Sequence, residues 1–189
     1  GHQAGLRTAG QAVPRLRARL AADCAALPNE CTNGTDAAYM AAVTASALER
    51  TLRAYWDATF CLQPPGDDLM RKGIVDALLL GCIPVLFHPG QRMQWPWHFG
   101  SWVANATVLL EWRAIIDNRM DWAAVLRAIP RDEVEAMRTT IAKNAHRMQY
   151  SAVDTASLRG SGGLAVFHDA FDEALRGAWR NARDAERSG

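Results

Sequence analysis

The chain has 189 residues, 49% of them hydrophobic and 22% charged, with a formal net charge of +1. That is long enough for one domain with a sizeable core, and the composition is that of a soluble globular protein. A balance this close to neutral offers no bulk attraction to nucleic acid or to a membrane surface, and no apolar run approaches spanning length.

Residues 5–10 read as a short first strand ending in a glycine turn. Residues 13–27 read as a helix with Leu16, Leu20 and Ala21 inward, Arg15, Arg17 and Arg19 outward, and Pro14 near its start, where proline is tolerated. Residues 28–35 form a loop, with Asn33-Gly34 as a turn signal. Asp36 can cap a helix over 37–55, in which Met40, Val43, Ala47, Leu48, Leu52 and Tyr55 recur at helical spacing and are expected in the core.

The centre of the chain is residues 59–88. Residues 59–62 are short, apolar and partly β-branched. Pro64-Pro65-Gly66 breaks the chain, and Asp67 and Asp68 are suited to cap a helix over 69–80. Gly81 is placed to end that helix in a left-handed conformation. Residues 83–87 are a second strand-length apolar run, so the unit is βαβ, with parallel buried strands. His88-Pro89-Gly90 is a turn, residues 95–102 are rich in aromatics, and residues 107–111 read as a further strand. Helices follow over 121–129 and 130–148, the latter with Val134, Met137, Ile141, Ala145 and Met148 as its apolar stripe. Residues 157–163 are flexible by composition. A last helix spans 164–182, with Phe167, Phe171, Leu175 and Trp179 on one face, and residues 184–189 should fray. Alternating strands and helices argue for α/β with a mainly parallel sheet.

Ligands of open α/β sheets sit at the carboxyl ends of the strands. The loop at 64–68 is at such an end, and the following helix aims free N–H groups and a positive dipole end at that spot. With Arg71 and Lys72 beside it, a phosphate or diphosphate is the natural guest. Asp76, further along the helix, suits a ribose diol; the alternative is an ordinary Lys72–Asp76 pair at i, i+4 on a solvated face. Arg15 is the best placed of the early arginines for a diphosphate. His98, among aromatics, is either a structural hydrogen-bonder or part of a loop lining the cleft. His146 has no partner at metal-ligand spacing, and no Cys/His spacing suggests zinc.

Four cysteines allow three full pairings. Cys24 and Cys31 flank a short polar loop and suit a local disulfide; Cys61 and Cys82 are expected to be buried thiols of the core unit. Two sequons occur, at Asn33 and Asn105. No GxGxxG is present, which disfavours a nicotinamide-dependent oxidoreductase.

The segment FCLQPPGDDLMRKGIVDALLLGCIPVLF, residues 60–87, resembles the signature of the exostosin-like glycosyltransferases (glycosyltransferase family 47), and most of all its plant and algal branch that includes xyloglucan galactosyltransferases. That branch reads, in outline, FCLQPxGD, two basic residues, then FD-x-ILAGCIPVFF. Gln94–Phe99 is similar to the family's QY-x-WHL segment, Asp169–Leu175 to its DAFD helix, and Ala9-Gly10 with Arg15, Arg17 and Cys24 to FAG…R…C. The chain departs from the pattern at Met70 and Gly73, where relatives carry hydroxyl residues.

The resemblance implies a Rossmann-like, mainly parallel sheet flanked by helices: the C-terminal, nucleotide-sugar-binding half of a GT-B glycosyltransferase, over residues 1–183. It implies inverting transfer from a nucleotide-diphosphate sugar, most readily a UDP-sugar, to a polysaccharide or glycan hydroxyl, with no cofactor, no obligatory metal and no nucleic-acid partner. The donor-binding residues it implies are Gly10, Arg15, Gln63, Gly66, Asp67, Arg71, Lys72, Asp76 and His98. The general base is expected in an N-terminal half not represented here, so the catalytic residue stays unassigned. Gly1 is not a natural start. The implied setting is the Golgi lumen, within a single-pass membrane protein anchored outside this chain. The competing expectation is a catalytically degenerate domain serving as a scaffold in a Golgi complex.

Overall fold

The computed structural model describes residues 12–32, 46–150 and 168–188. The strand expected over 5–10, Gly10, the Asn33-Gly34 turn, the first half of the 37–55 helix, and residues 151–167 lie outside them.

Helix α1 (Ala12–Ala25) leads to a loop closed by the Cys24–Cys31 disulfide. Leu16 and Leu20 are buried as expected, but the third inward position is Cys24, one turn past Leu20; Ala21 faces solvent. Helix α2 (Ala47–Asp57) starts at Ser46, whose hydroxyl accepts from the Glu49 N–H. Its Tyr55 is half-buried, whereas Leu52, expected in the core, is exposed.

Strands β1 (Phe60–Gln63), β2 (Ile83–Leu86) and β3 (Val108–Leu109) make a parallel sheet in the order β1-β2-β3. Phe60 lies opposite Ile83, and Val85 opposite Val108. The β2–β3 ladder begins only at Val85, and Pro84 explains why. Successive residues of a parallel strand aim their N–H groups at opposite neighbours. The Ile83 N–H donates to Thr59 on the β1 side, so residue 84 would have to donate toward β3, and proline has no proton to give.

The β1–β2 crossover is α3 (Lys72–Leu79), shorter than the expected 69–80 helix. It buries Ile74, Ala77 and Leu78, and Gly81 follows at φ +76°, the left-handed stop. Beyond β2 come a 3₁₀ turn (Pro89–Met93), α4 (Pro96–Phe99) and a second 3₁₀ turn (Trp102–Asn105) that leads into β3. Helices α5 (Trp112–Ile116), α6 (Trp122–Arg127) and α7 (Arg131–Asn144) follow, then a 3₁₀ turn (Ala145–Met148) and α8 (Ala170–Ser188). Asp121 caps α6 through the Ala124 N–H, and Pro130 sits at the α7 cap.

Strand β2 is buried on both faces. Val85 and Phe87 pack with Leu16, Leu20, Ile115, Trp122 and Leu126 from α1, α5 and α6. Ile83 and Leu86 pack with Ile74, Leu78, Phe99, Trp102 and Ile141 from α3, α4 and α7. This is helix, sheet, helix, the layering of an α/β domain.

Cys61 and Cys82, expected as free thiols, form a disulfide between β1 and the residue before β2. The parallel register already brings Cys61 opposite Pro84, so two cysteines separated by 21 residues meet at the sheet with Cα atoms 5.9 Å apart. Helix α8 also differs. It packs through Ala170, Glu173 and Gly177, Gly177 against the Trp97 ring, and turns Phe171, Leu175 and Trp179 to solvent. It continues through Ser188, past the expected helix end at residue 182 and through the residues expected to fray.

Candidate functional site

The carboxyl edge of the sheet is built by three strand ends. Gln63 closes β1, and the chain then turns through Pro64, Pro65 and Gly66. Asp68 does not cap the helix. Its carboxylate accepts from the Leu69 and Met70 N–H groups, and its carbonyl accepts from Gly66 N–H at 3.1 Å, which folds 66–70 into a compact turn. Arg71 therefore takes the cap position of α3 with no side-chain cap bond, which frees its side chain. The first N–H groups of α3, unsatisfied by the helix itself, open at this point.

The Arg71 guanidinium lies across Gly66: a Cβ there would come 2.5 Å from Nη1. Among the described residues it makes no hydrogen bond or ion pair, although it is only half-exposed. Asp67 is exposed beside it. Lys72 and Asp76 pair with each other, Nζ lying 2.6 and 2.7 Å from the two carboxylate oxygens. The lysine side chain is 81% exposed and the aspartate 21%, so this is a surface i, i+4 pair.

Gln63 is 4% exposed and buries its amide beneath α3. Its Nε2 donates to the Tyr55 hydroxyl at 3.2 Å. Gly73 makes the space, since a Cβ there would lie 2.6 Å from Gln63 Oε1 and 2.7 Å from the Tyr55 hydroxyl. Gln63, expected at the ligand, has its side chain packed inward against Tyr55, as the pleat directs at this last strand position. The glycine at 73, read in the sequence as a lost hydroxyl, is what the Gln63–Tyr55 bond requires.

His98 is drawn off by α8, its Nε2 lying 3.0 Å from the Ala170 carbonyl, while the Trp102 indole donates to the His98 carbonyl. Its neighbours Phe99, Trp95 and Trp102 stack edge-on within the core. Arg15 is exposed on α1, and Gly10 is outside the described residues.

Three residues at the same edge were given no site role in the sequence reading: Gln91, His88, read only as part of a turn, and Glu111, read only as the end of a strand. Gln91 is fully buried and joins two strand ends. Its Oε1 accepts from the N–H groups of Phe87 and His88, and its Nε2 donates to the Gln63 carbonyl. His88 accepts the Gly90 N–H on Nδ1, so the neutral ring carries its proton on Nε2. Burial, and then the Arg113 charge, hold its pKa below the usual value, against a smaller upward pull from Glu111. The signal for all three was position: each follows within a few residues of the carboxyl end of a strand. Gly90 also packs against Leu69, which brings the turn after β2 next to the loop after β1. Among the described residues no group of three His, Cys, Asp or Glu could hold a metal ion, and no helix is long and apolar enough to cross a membrane.

The loop, Arg71 and the β1–α3–β2 unit sit within a longer match. Residues 4–109 match the Exostosin GT47 domain. The chain belongs to the exostosin GT47 family. It is 32% identical over 130 residues to the probable xyloglucan galactosyltransferase GT15 of Arabidopsis thaliana, covering 67% of this chain and 26% of that protein. It is 26% identical over 159 residues to xyloglucan galactosyltransferase XLT2 of the same plant, covering 84% and 27%. It is 41% identical over 86 residues to xyloglucan-specific galacturonosyltransferase 1, covering 44% and 12%. The chain thus spans about a quarter of the length of the first two of these relatives. No solved structure matches it.

Proposed function

We propose that this domain is the nucleotide-sugar-binding part of a glycosyltransferase that transfers a sugar to a polysaccharide hydroxyl, within a GT-B arrangement. The observation that carries the reading is the half-buried Arg71 guanidinium, without a partner among the described residues, laid over Gly66 at the start of α3. A guanidinium with its donors uncommitted among the described residues can form charge-assisted hydrogen bonds to an anion at that corner. The names of the relatives support a sugar donor and a xyloglucan-like acceptor.

In this reading the donor, a UDP-sugar, rests its diphosphate against Arg71 and the first N–H groups of α3. Gly66 and the backbone of Asp67 let the phosphates approach. As the sugar–diphosphate bond breaks with inversion, negative charge grows on the leaving phosphate, and the guanidinium and helix dipole stabilise it. Lys72 turns from Asp76 toward the diphosphate, and Asp76 is then free to accept from the ribose hydroxyls. Arg15 and Gly10 lie on the earlier segment of the family match and are assigned to the donor on the family resemblance. The base that takes the acceptor proton, and the acceptor site, are assigned to the length of the relatives that this chain does not span. The two disulfides support an oxidising lumen, and the Golgi lumen is the compartment proposed.

The test is thermal unfolding of the full-length protein with UDP. A ligand at about 100 times its Kd stabilises by about 2.7 kcal/mol, and Arg71→Ala should remove that shift while leaving the unliganded Tm in place. No shift with millimolar UDP, in a folded full-length protein, would reject the donor site and favour the scaffold reading.

A further inference from the structure

We propose that Asn105 carries an N-linked glycan, on the edge of the sheet opposite the candidate donor site. Asn105-Ala106-Thr107 is an acceptor sequon. Asn105 ends the second 3₁₀ turn and is exposed. It is one of the residues lining an open groove of ≈ 490 Å³, with Ala104, Val108, Ile129, Glu133 and Met137 among the others. A sugar on the Asn105 amide therefore meets open space and a partly apolar wall, not packed chain.

Topology keeps the modification clear of the site. Asn105 precedes β3, and the strands are parallel, so it lies at their amino ends while Gly66 and Arg71 lie at their carboxyl ends. The order of events also follows from the structure. Thr107 is 3% exposed, its hydroxyl donates to the Val103 carbonyl, and Arg92 donates to both its hydroxyl and its carbonyl. A transferase reading that hydroxyl must act before the segment packs, as the chain enters the compartment in which the disulfides form. In the transfer, a bond forms between Asn105 Nδ2 and the anomeric carbon of a polyprenyl-diphosphate-linked oligosaccharide. The anomeric C–O bond breaks, the lipid diphosphate leaves, and one amide proton is lost.

This inference rests on the lumenal reading above, and the experiment separates the two. The full-length protein is produced in a eukaryotic secretory host, and its free thiols are assayed first. Trypsin then releases residues 93–113, which carry this sequon alone. Treatment with a peptide N-glycosidase in heavy-oxygen water should convert Asn105 to labelled Asp. Thr107→Ser should retain the glycan, and Asn105→Gln, at an exposed position, should lose it in a protein that still folds. Paired cysteines with an unmodified Asn105 overturn the attachment and leave the compartment standing. Free thiols at Cys24, Cys31, Cys61 and Cys82 overturn the compartment, and the attachment with it.

Discussion

Replacing Gly66 by alanine separates donor affinity from stability. Gly66 does not have a positive φ, so alanine can adopt its backbone conformation. The new methyl would stand 2.5 Å from Arg71 Nη1, but 3.6 and 3.7 Å from Cδ and Cζ. Only the tip of a flexible side chain is in the way, so the guanidinium swings off the corner and the stem stays. Folding should gain slightly, by about 0.4–1 kcal/mol, because alanine narrows the unfolded ensemble. Donor binding should lose a charge-assisted hydrogen bond, about 1.5–3 kcal/mol, or about 10- to 150-fold in the Kd for UDP. Calorimetric titration of the full-length Gly66→Ala, Arg71→Ala and double variants measures this. The loss in the double variant should fall short of the sum of the two single losses, because both substitutions remove the Arg71 contact. An unchanged Kd in Gly66→Ala, or losses that simply add, would refute the assignment of Arg71 to the diphosphate.

Gly73→Ala should destabilise despite a gain in helix propensity of about 1 kcal/mol, because displacing the buried Gln63–Tyr55 bond costs about 1–3 kcal/mol; denaturant unfolding should show a smaller cost in a Tyr55→Phe background, where the crowded hydroxyl is gone. Removing Cys61–Cys82 by paired alanine substitutions should cost about 3 kcal/mol, and Cys24–Cys31 about 2 kcal/mol, because the first closes 21 residues and the second 7; equal midpoint shifts would contradict this. The folded protein holds the pKa of His88 below its usual 6.5, so the unfolded state binds more protons below that pH and stability falls on acidification from 6.5 to the lower folded value. His88→Asn, which keeps an acceptor for the Gly90 N–H, should flatten that part of a stability–pH profile. Gly177→Ala should destabilise by about 1–3 kcal/mol through overpacking, since its methyl would enter the Trp97 ring.

The βαβ unit was legible because its signals are local. Two apolar runs, a proline-glycine turn and Gly81 act within a few residues of themselves, and the helix ended where Gly81 said it would. The start of α3 was not legible. Asp67 and Asp68 have the right chemistry for a cap, but Asp68 spends its carboxylate on the loop N–H groups, a competition between two local bonds that composition cannot rank. Gln91 was missed for a different reason. A glutamine in a turn reads as solvated, and only the parallel pairing brings Gln63 to it across 28 residues.

Hydrophobic periodicity and turn chemistry, both short-range, are thus enough to determine the parallel unit, the corner at its carboxyl end and the cations beside it. Tertiary packing decided which polar groups remain available there. Gln63 was turned under Gly73, His98 was claimed by α8, Lys72 and Asp76 were closed on each other, and Arg71 was left open. The same packing joined Cys61 to Cys82 and turned the apolar face of α8 outward. The physical reason is that a side chain's hydrogen-bond partner is set by the three-dimensional neighbours competing for it, and those neighbours come from segments far apart in the chain.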